Sequence, residues 1–250
     1  MELIFLGVGE ACDSSHGNTS LAVRTADDTA ILLDCGFTVP HRYFHFHHNA
    51  DELDIVWISH FHGDHFCGLP LLLLRFFEMG RSKPLIFLGH TELKEKIPAV
   101  METAYPGFFA KLTFPLKYRI MTPEKPLRIN NLTLEAAATD HSRYNLSLGI
   151  DDGRHRLFYS GDGRPTAATE KLAAGCDLVV HEAFQVESGV AGHGSVQGCL
   201  DFAASTGAAR LALVHIERHT RKNQLSRIHA LMAAAPIPVL LPEEDFTLVL

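Results

Sequence analysis

Residues 59–70, SHFHGDHFCGLP, decide the fold, because they place four metal-ligating side chains within six positions: His60, His62, Asp64 and His65. The apolar run 55–59 predicts a buried strand before these side chains, and residues 69–79 predict an apolar helix after them. Gly63 permits a tight backbone path between the ligands. Imidazole and carboxylate groups suit Zn²⁺ and related ions. The segment therefore predicts a metal site, not a solvated histidine-rich loop.

Acids and histidines also follow directly after other apolar runs of the chain. Residues 156–161, RLFYSG, lead into Asp162, and residues 211–214, LALV, lead into His215. Both runs predict strands. In open sheets, ligand sites lie at the carboxyl ends of the strands. The residues at these strand ends are therefore expected to form one shared site.

The pattern HxHxDH at a strand-to-helix junction resembles the dinuclear hydrolase branch of the metallo-β-lactamase superfamily, and the resemblance covers nearly the whole chain. It implies an α/β (α+β) fold, the four-layer αββα sandwich, in which two mixed sheets face each other and helices cover the outside. It also implies a single domain over residues 1–250, made of two similar halves, with the metals at one edge of the sheets.

In that family a histidine, a bridging aspartate and another histidine follow the motif in this order, and all three have matching positions here. The resemblance thus implies seven ligands for two divalent ions. The first ion would be held by His60, His62 and His141, the second by Asp64, His65 and His215, and both by Asp162. Zinc is the first expectation, and manganese, iron and nickel also suit such ligands.

Further segments resemble ribonuclease Z within this superfamily. Residues 159–165, YSGDGRP, are similar to its GDTRP segment, residues 179–184, VVHEAF, to its HEAT segment, and residues 192–195, GHGS, to its GHST segment. The resemblance implies that Glu182 orients His193 and that His193 assists the leaving group. The predicted catalytic residues are these two and Asp64, which is also a predicted ligand.

Two departures from ribonuclease Z bear on the substrate. That family carries a long tRNA-gripping arm between its third histidine ligand and the bridging aspartate, whereas His141 and Asp162 are only 21 positions apart here. In addition, Gly163 stands where the family has threonine. Relatives without the arm include phosphodiesterases of small or cyclic phosphodiesters. A small anionic phosphodiester is therefore the expected substrate, with RNA as an alternative.

The expected activity is hydrolysis of a phosphodiester by a hydroxide that bridges two metal ions and attacks phosphorus in line. The positive charge of two divalent ions would exceed the negative charge of Asp64, Asp162 and the hydroxide, so the site would favour an anionic substrate. Arg143, Arg164 and Arg218 lie near ligand segments and are candidate phosphate clamps. The alternatives are a lactonase or thioesterase of the same fold, a tRNA 3′-processing endoribonuclease, and a non-catalytic metal-binding protein.

Composition limits the other classes of function. The chain of 250 residues has a formal net charge of −7, which disfavours a general nucleic-acid coat protein. Its five cysteines form no CxxC pair, which indicates a reducing compartment. The sequence has no apolar run of about 18 residues and no signal-peptide pattern, so a cytoplasmic protein without a membrane span is expected. Relatives of ribonuclease Z are often dimers, which makes a homodimer one expectation.

Weaker patterns complete the predicted organisation. The cluster of His41, His45, His47 and His48 is interpreted as part of a surface helix, and residues 105–126, with four prolines, predict a long loop or lid. Hydrophobic periodicity predicts the remaining elements. Among them are helices over residues 91–103, with a break or kink at Pro98, and 222–234, and a final pair of strands over residues 239–241 and 246–250.

Overall fold

Two sheets form the centre of the fold in the computed structural model, which describes residues 1–123, 125–187 and 189–250. The first sheet contains, from edge to edge, β14 (Thr247–Val249), β1 (Glu2–Gly7), β2 (Ser20–Arg24), β3 (Ala30–Leu33), β4 (Ile55–Ile58), β5 (Leu85–Gly89) and β6 (Leu116–Ile120). The second contains β13 (Val239–Leu240), β12 (Leu211–Val214), β11 (Leu178–Glu182), β10 (Arg156–Tyr159), β9 (Leu146–Asp151), β8 (Leu132–Ala138) and β7 (Leu127–Ile129).

Both sheets change from antiparallel to parallel pairing in the same way. Strands β1, β2 and β3 pair antiparallel, and β3 to β6 pair parallel. In the second sheet, β7 to β10 pair antiparallel, and β10 to β13 pair parallel. The parallel strands of each sheet therefore end at a common carboxyl edge, which is where ligand sites are expected in such sheets.

Helices cover the outer faces of the two sheets. Over the described residues they are α1 (Val39–Phe46), α2 (Gly63–Phe66), α3 (Leu69–Glu78), α4 (Leu93–Ala104), α5 (Ala167–Ala173), α6 (Val196–Ser205), α7 (Arg218–Asn223) and α8 (Leu225–Ala234). A short 3₁₀ turn lies at Phe109–Lys111. In this part of the chain, none of the helices has the length and apolarity that crossing a membrane requires.

Three apolar clusters hold the layers together. Strand β4 shows the arrangement, because Trp57 belongs to the cluster between the two sheets, whereas Val56 and Ile58 belong to the cluster under α1, α3 and α4. A third cluster lies between the second sheet and α5, α6 and α8. Each fully buried large apolar side chain contributes roughly 1.5–3 kcal/mol relative to an exposed one. The layers follow the order helix, sheet, sheet, helix, so the predicted αββα sandwich is confirmed.

Two sequence predictions for the sheets were wrong. The predicted loop or lid over residues 105–126 contains β6. Its residues Leu116, Tyr118 and Ile120 pack against the apolar cluster under α1, α3 and α4, while the lysine and arginine between them are exposed. The predicted final strand pair does not form, because β13 pairs with β12 in one sheet and β14 pairs with β1 in the other. Strand β7 and helix α5 were not predicted.

The predicted helices also needed correction. The helix expected over residues 222–234 is two helices, α7 and α8, which meet at Gln224. Helix α4 continues through Pro98 to Ala104, so the helix does not break there, and the kink stays a prediction. In the histidine cluster, His41 and His45 lie on the exposed side of α1, whereas His47 follows the helix and stacks on Tyr43 with ring centroids 4.4 Å apart.

Candidate metal centre

Three histidines from two parts of the chain converge at the carboxyl edge of the sheets. His60 and His62 follow β4, and His141 follows β8. The Nδ1 atom of His62 lies 3.0 Å from Nε2 of His60 and 3.2 Å from Nε2 of His141. Ligand atoms of a tetrahedral zinc ion stand about 3.3 Å apart when each lies roughly 2.0 Å from the metal. These two distances match that spacing, and the ligand atoms of all three histidines lie within 4.8 Å of one another.

A second group of ligand atoms lies beside the first. Asp64 and His65 belong to the short helix α2, and His215 follows β12. The Oδ2 atom of Asp64 lies 3.4 Å from Nε2 of His65 and 3.2 Å from Nε2 of His215. These distances match the same tetrahedral spacing. The second group is thus able to hold another ion.

Asp162 lies between the two groups and is buried. Its Oδ1 atom is 3.3 Å from Nε2 of His65 and 3.6 Å from Nε2 of His215. Its Oδ2 atom is 3.9 Å from Nε2 of His60. One oxygen therefore faces each group, as a carboxylate shared by two ions requires.

The chemistry of these residues fits divalent metal ions. Two buried atoms, Oδ1 of Asp162 and Nε2 of His65, have no hydrogen-bond partner among the described residues. A buried polar group without a partner costs about 1–3 kcal/mol, and a charged one costs more. A cation between the groups would satisfy both atoms, and imidazole nitrogen and carboxylate oxygen are donors that zinc and related ions accept.

The electrostatics of the site also favour added positive charge. Burial alone would raise the pKa of Asp162, but the imidazoles of His215 and His65 outweigh it and hold that pKa well below its usual range. Burial lowers the pKa of His60 far below its ordinary value, which leaves a neutral ring. Burial opposes protonation of His215 as well, but Asp162 and the hydrogen bond to Asp64 raise its pKa to about 9. A metal ion would take the place of the proton that these carboxylates attract.

Two of the strand ends that carry the site hold a residue other than glycine in the left-handed backbone conformation. Asp34 directly follows β3 with a φ of 59°, and His215 directly follows β12 with a φ of 55°. A left-handed conformation costs a residue other than glycine about 1–3 kcal/mol and persists where the surroundings fix it. The N–H of His215 donates to the carbonyl oxygen of Val8 at 2.8 Å, which anchors this strand end to the first sheet.

Sequence reasoning missed Asp34, whose buried carboxylate organises the second ligand group. Its Oδ2 accepts from Nδ1 of His65 at 2.8 Å, from Oγ of Ser59 at 2.8 Å and from the hydroxyl of Tyr159 at 2.7 Å. A carboxylate on the outer nitrogen of a ligand histidine fixes the tautomer and aims the other nitrogen at the metal. The available signal was an acid at the end of the apolar run 30–33, the same pattern that marked Asp162.

Replacing Asp34 should therefore weaken metal binding although Asp34 is not a ligand. We expect Asp34→Asn to lower zinc affinity about 10- to 100-fold, because the amide cannot accept all the donors that converge on Oδ2. Competition with a chromophoric chelator measures this. Asp152→Asn is the matched control, since Asp152 is also buried and accepts backbone N–H groups, including that of Ala26, outside the site. Equal zinc affinity in both variants would contradict the assigned role.

Glu182 and His193 lie next to the metal ligands and are bonded to each other. The Oε1 atom of Glu182 accepts from Nδ1 of His193 at 3.2 Å and from the backbone N–H groups of Gly163 and Gly194 at 2.9 and 2.8 Å. Glu182 is fully buried, whereas the His193 side chain is 20% exposed. A ring nitrogen of His193 lies within 4.8 Å of ligand atoms of Asp162 and His215. The pair predicted from the sequence is thus brought together at the site.

Gly163, at the position where ribonuclease Z has threonine, has no room for a side chain. Its φ is +110°, and an added Cβ would lie 2.4 Å from Oγ1 of Thr139. That hydroxyl donates to the carbonyl oxygen of Asp162 at 2.6 Å. Asn145, which sequence reasoning also missed, supports the same turn by accepting from the N–H of Asp162 at 3.2 Å. Thr139 and Asn145 thus hold the Asp162 turn through its carbonyl oxygen and its N–H.

Replacing Gly163 with the threonine that ribonuclease Z has at this position should destabilise the protein. Gly163→Thr is expected to lower the free energy of unfolding by more than the about 1–3 kcal/mol of left-handed strain, because the clash with Thr139 adds to it. Gly153→Thr is the matched control, since Gly153 has a φ of +80° and no atom within 4 Å of an added Cβ. Denaturant unfolding of both variants gives the difference. Equal losses in the free energy of unfolding would show that Thr139 moves aside without destabilising the protein.

The three arginines that were predicted to clamp a phosphate lie in different environments. Arg143 is exposed, close to His141 in the sequence. Arg164 donates to the carbonyl oxygens of His193 at 3.2 Å and of Val190 at 2.7 Å, so it supports the segment that carries His193. Arg218 pairs with Glu10 at 2.6 Å. Their role in substrate binding stays a prediction.

Sequence comparison finds one matching family and related curated proteins. The family description "Anti-Pycsar protein Apyc1" matches residues 1–233. Ribonuclease BN of Escherichia coli O6:K15:H31 is 28% identical over 280 aligned positions, which cover 86% of this chain and 89% of the ribonuclease.

Two solved structures have the same fold over almost their whole length. The metallo-β-lactamase fold protein YhfI from Bacillus subtilis superposes with a TM-score of 0.81 at 22% identity, over 99% of this chain and 98% of that one. The short form of human tRNase Z superposes with a TM-score of 0.80 at 21% identity, over 100% of this chain and 99% of that one. At such identities the likeness establishes the fold, and the chemistry has to be argued from the residues.

Proposed function

The chain belongs to the anti-Pycsar protein Apyc1 family and has the metallo-β-lactamase fold, and we propose that it is a metal-dependent phosphodiesterase acting on small phosphodiesters. The broader class, a metallo-β-lactamase-fold hydrolase related to ribonuclease Z, is the class that the sequence motifs indicated. The observation that carries the proposal is the carboxylate of Asp162, with one oxygen facing each ligand group and the Glu182–His193 pair beside it.

We assign the two ligand groups to two divalent ions, zinc in the first place. His60, His62 and His141 would hold one ion, and Asp64, His65 and His215 the other, with Asp162 shared between them. When bound, such ions polarise the phosphoryl oxygens and make a water molecule nucleophilic near neutral pH. Their charge would exceed that of the two aspartates, which favours an anionic diester in the site.

The Glu182–His193 pair would act on the leaving group. The buried carboxylate of Glu182 accepts the Nδ1–H of His193, so Nε2 is the atom that can carry a proton to the departing oxygen. The same carboxylate stabilises the ring when it is positively charged. The ring of Phe184 stacks on His193 with centroids 4.5 Å apart, which restricts water on that side and keeps the imidazole in place.

The proposed substrate is small because the hairpin of β9 and β10 fills the segment between His141 and Asp162. Strand β9 pairs antiparallel with both β8 and β10, so this segment is part of the second sheet. It therefore supplies no projecting arm of the kind with which ribonuclease Z grips tRNA. A small or cyclic phosphodiester can bind through the metal centre and the residues around it, without a separate arm.

Turnover of bis(p-nitrophenyl) phosphate tests the proposal. Protein loaded with zinc or manganese should release p-nitrophenol, and the same protein stripped with a chelator should not. Lactone and thioester substrates measured in parallel separate the alternative reaction class. Hydrolysis of those substrates without any phosphodiester turnover would refute the proposal. A metal-loaded protein inactive on all three ester classes would instead favour a non-catalytic metal-binding protein.

A further inference from the structure

The two ligand groups are joined behind the metal centre by hydrogen bonds through side chains that are not ligands. In the first group, Nε2 of His60 faces the other ligand atoms and lies 3.0 Å from Nδ1 of His62. Nδ1 of His60, on the other side of the ring, lies 3.0 Å from Oγ of Ser59. A ligand histidine carries its proton on the nitrogen that does not bind the metal, so Nδ1 donates to this hydroxyl. The Ser59 hydroxyl is therefore the outer partner of this ligand.

The Ser59 hydroxyl connects His60 to a carboxylate. A hydroxyl has one proton to donate and two lone pairs that accept, so it can bond to two partners at once. While it accepts from His60, it donates to Oδ2 of Asp34 at 2.8 Å. The same oxygen accepts the Nδ1–H of His65 at 2.8 Å. One carboxylate is thus linked to a ligand histidine of each group, directly to His65 and through Ser59 to His60.

The members of this network are all fully buried: Asp34, Ser59, His60, His65 and Tyr159. The hydroxyl of Tyr159 also donates to Oδ2 of Asp34, at 2.7 Å. The backbone N–H of Ser59 donates to the other oxygen, Oδ1, at 2.8 Å, so both oxygens of the carboxylate are held in place. Hydrogen bonds to a charged acceptor are strong when they are shielded from bulk water. The network therefore sets the orientation of His60 and His65 before an ion binds.

We propose that Ser59 is a positioning residue for the ion of the first ligand group, and that through it Asp34 orients one ligand of each ion. This inference rests on the metal-dependent function proposed above. The hydroxyl of Ser59 keeps the proton of His60 on Nδ1 and the lone pair of Nε2 directed at the ion. Loss of this hydroxyl should affect that ion alone, whereas a change at Asp34 should affect both ions, because both histidines depend on its carboxylate.

Zinc affinity tests the proposal without the use of turnover. In competition with a chromophoric chelator, Ser59→Ala should weaken one of the two zinc ions about 10-fold or more and leave the other unchanged, whereas Asp34→Asn should weaken both. Ser147→Ala is the matched control, since Ser147 is also fully buried and its hydroxyl donates to the carbonyl oxygen of Ala137 within the second sheet. Equal zinc affinities in the two serine variants would overturn the proposal. Equal weakening of both ions by Ser59→Ala would overturn it as well.

Proton NMR of the zinc-loaded protein labelled with ¹⁵N-histidine gives a second test, through a variant that leaves Ser59 and both histidines in place. Tyr159→Phe removes one of the three donors to Oδ2 of Asp34. The remaining donors should then bond to this oxygen more strongly, and a hydroxyl that donates more strongly also accepts more strongly. The Nδ1–H signals of His65 and of His60 should therefore both move downfield.

The control for this measurement is Tyr43→Phe, which removes the hydroxyl of another fully buried tyrosine, in α1, and should move neither signal. If Tyr159→Phe moved the signal of His65 alone, Ser59 would not connect His60 to the carboxylate, and the proposal would be wrong. Absence of phosphodiester turnover, by contrast, would refute the proposed function without changing the zinc affinities or the NMR signals.

Discussion

Asp162→Ala is expected to lose bound metal and turnover together, and this is the largest single effect that the site predicts. The carboxylate contributes an oxygen to each ligand group, so its removal leaves both groups incomplete and takes away one of the negative charges that face His65 and His215. Loss of several kcal/mol of stabilisation of the transition state corresponds to about a 10³-fold or greater fall in turnover. Elemental analysis of the dialysed protein and turnover of bis(p-nitrophenyl) phosphate measure the two losses.

The matched control for this variant is Asp140→Ala. Asp140 is an exposed aspartate next to His141, and its backbone pairs with that of Arg164. This substitution removes the same side chain at the edge of the site without touching a ligand group, so metal content and turnover should stay close to those of the wild type. If Asp162→Ala instead retained two ions, the assignment of Asp162 as the shared ligand would be wrong.

The sequence revealed the ligand groups because their residues either adjoin in one motif or stand at strand ends. His60, His62, Asp64 and His65 lie within six positions, and the strand-end pattern pointed to Asp162 and His215. Asp34 escaped detection because its meaning depends on partners that are distant in the chain. Its hydrogen bonds join it to Ser59, His65 and Tyr159, up to 125 positions away. No local pattern encodes such a contact.

The errors in the fold have the same physical origin. Residues 239–240 and 247–249 are close in sequence, which suggested a hairpin, but β13 extends the second sheet and β14 extends the first. The prolines near residues 115–126 suggested a loop, yet β6 needs hydrogen bonds on only one side because it lies at a sheet edge. Periodicity predicts that a segment is a strand, whereas the choice of its neighbour is decided by tertiary packing.

Arg164 lies near the site as expected, but its contacts could not be predicted from the sequence. Because Arg164 is two positions from Asp162, it was expected to contact a substrate phosphate. In the folded chain its guanidinium donates to two backbone carbonyls of the segment that carries His193. Donor groups of arginine are satisfied by whichever acceptors lie nearest, and only the folded chain shows which these are.

His193→Ala is expected to retain both ions when metal is in excess and to lose turnover. General acid catalysis contributes about 10²- to 10⁴-fold, so a loss of this size is expected for a phosphodiester with an alkyl leaving group. Steady-state kinetics at saturating zinc, with metal content determined on the same sample, measure it. Glu182→Gln should cost less, because its amide oxygen can still accept the Nδ1–H of His193 although the stabilising charge is gone.

The dependence on the leaving group decides whether His193 has the proposed role. A p-nitrophenolate ion departs without a proton, whereas an alkoxide requires one. The loss caused by His193→Ala should therefore be clearly smaller with bis(p-nitrophenyl) phosphate than with an alkyl phosphodiester. Equal losses with both substrates would assign the pair to binding or to activation of water, because those functions do not depend on the basicity of the group that leaves. Since both ions stay bound at saturating metal, such a result would not affect the ligand assignments.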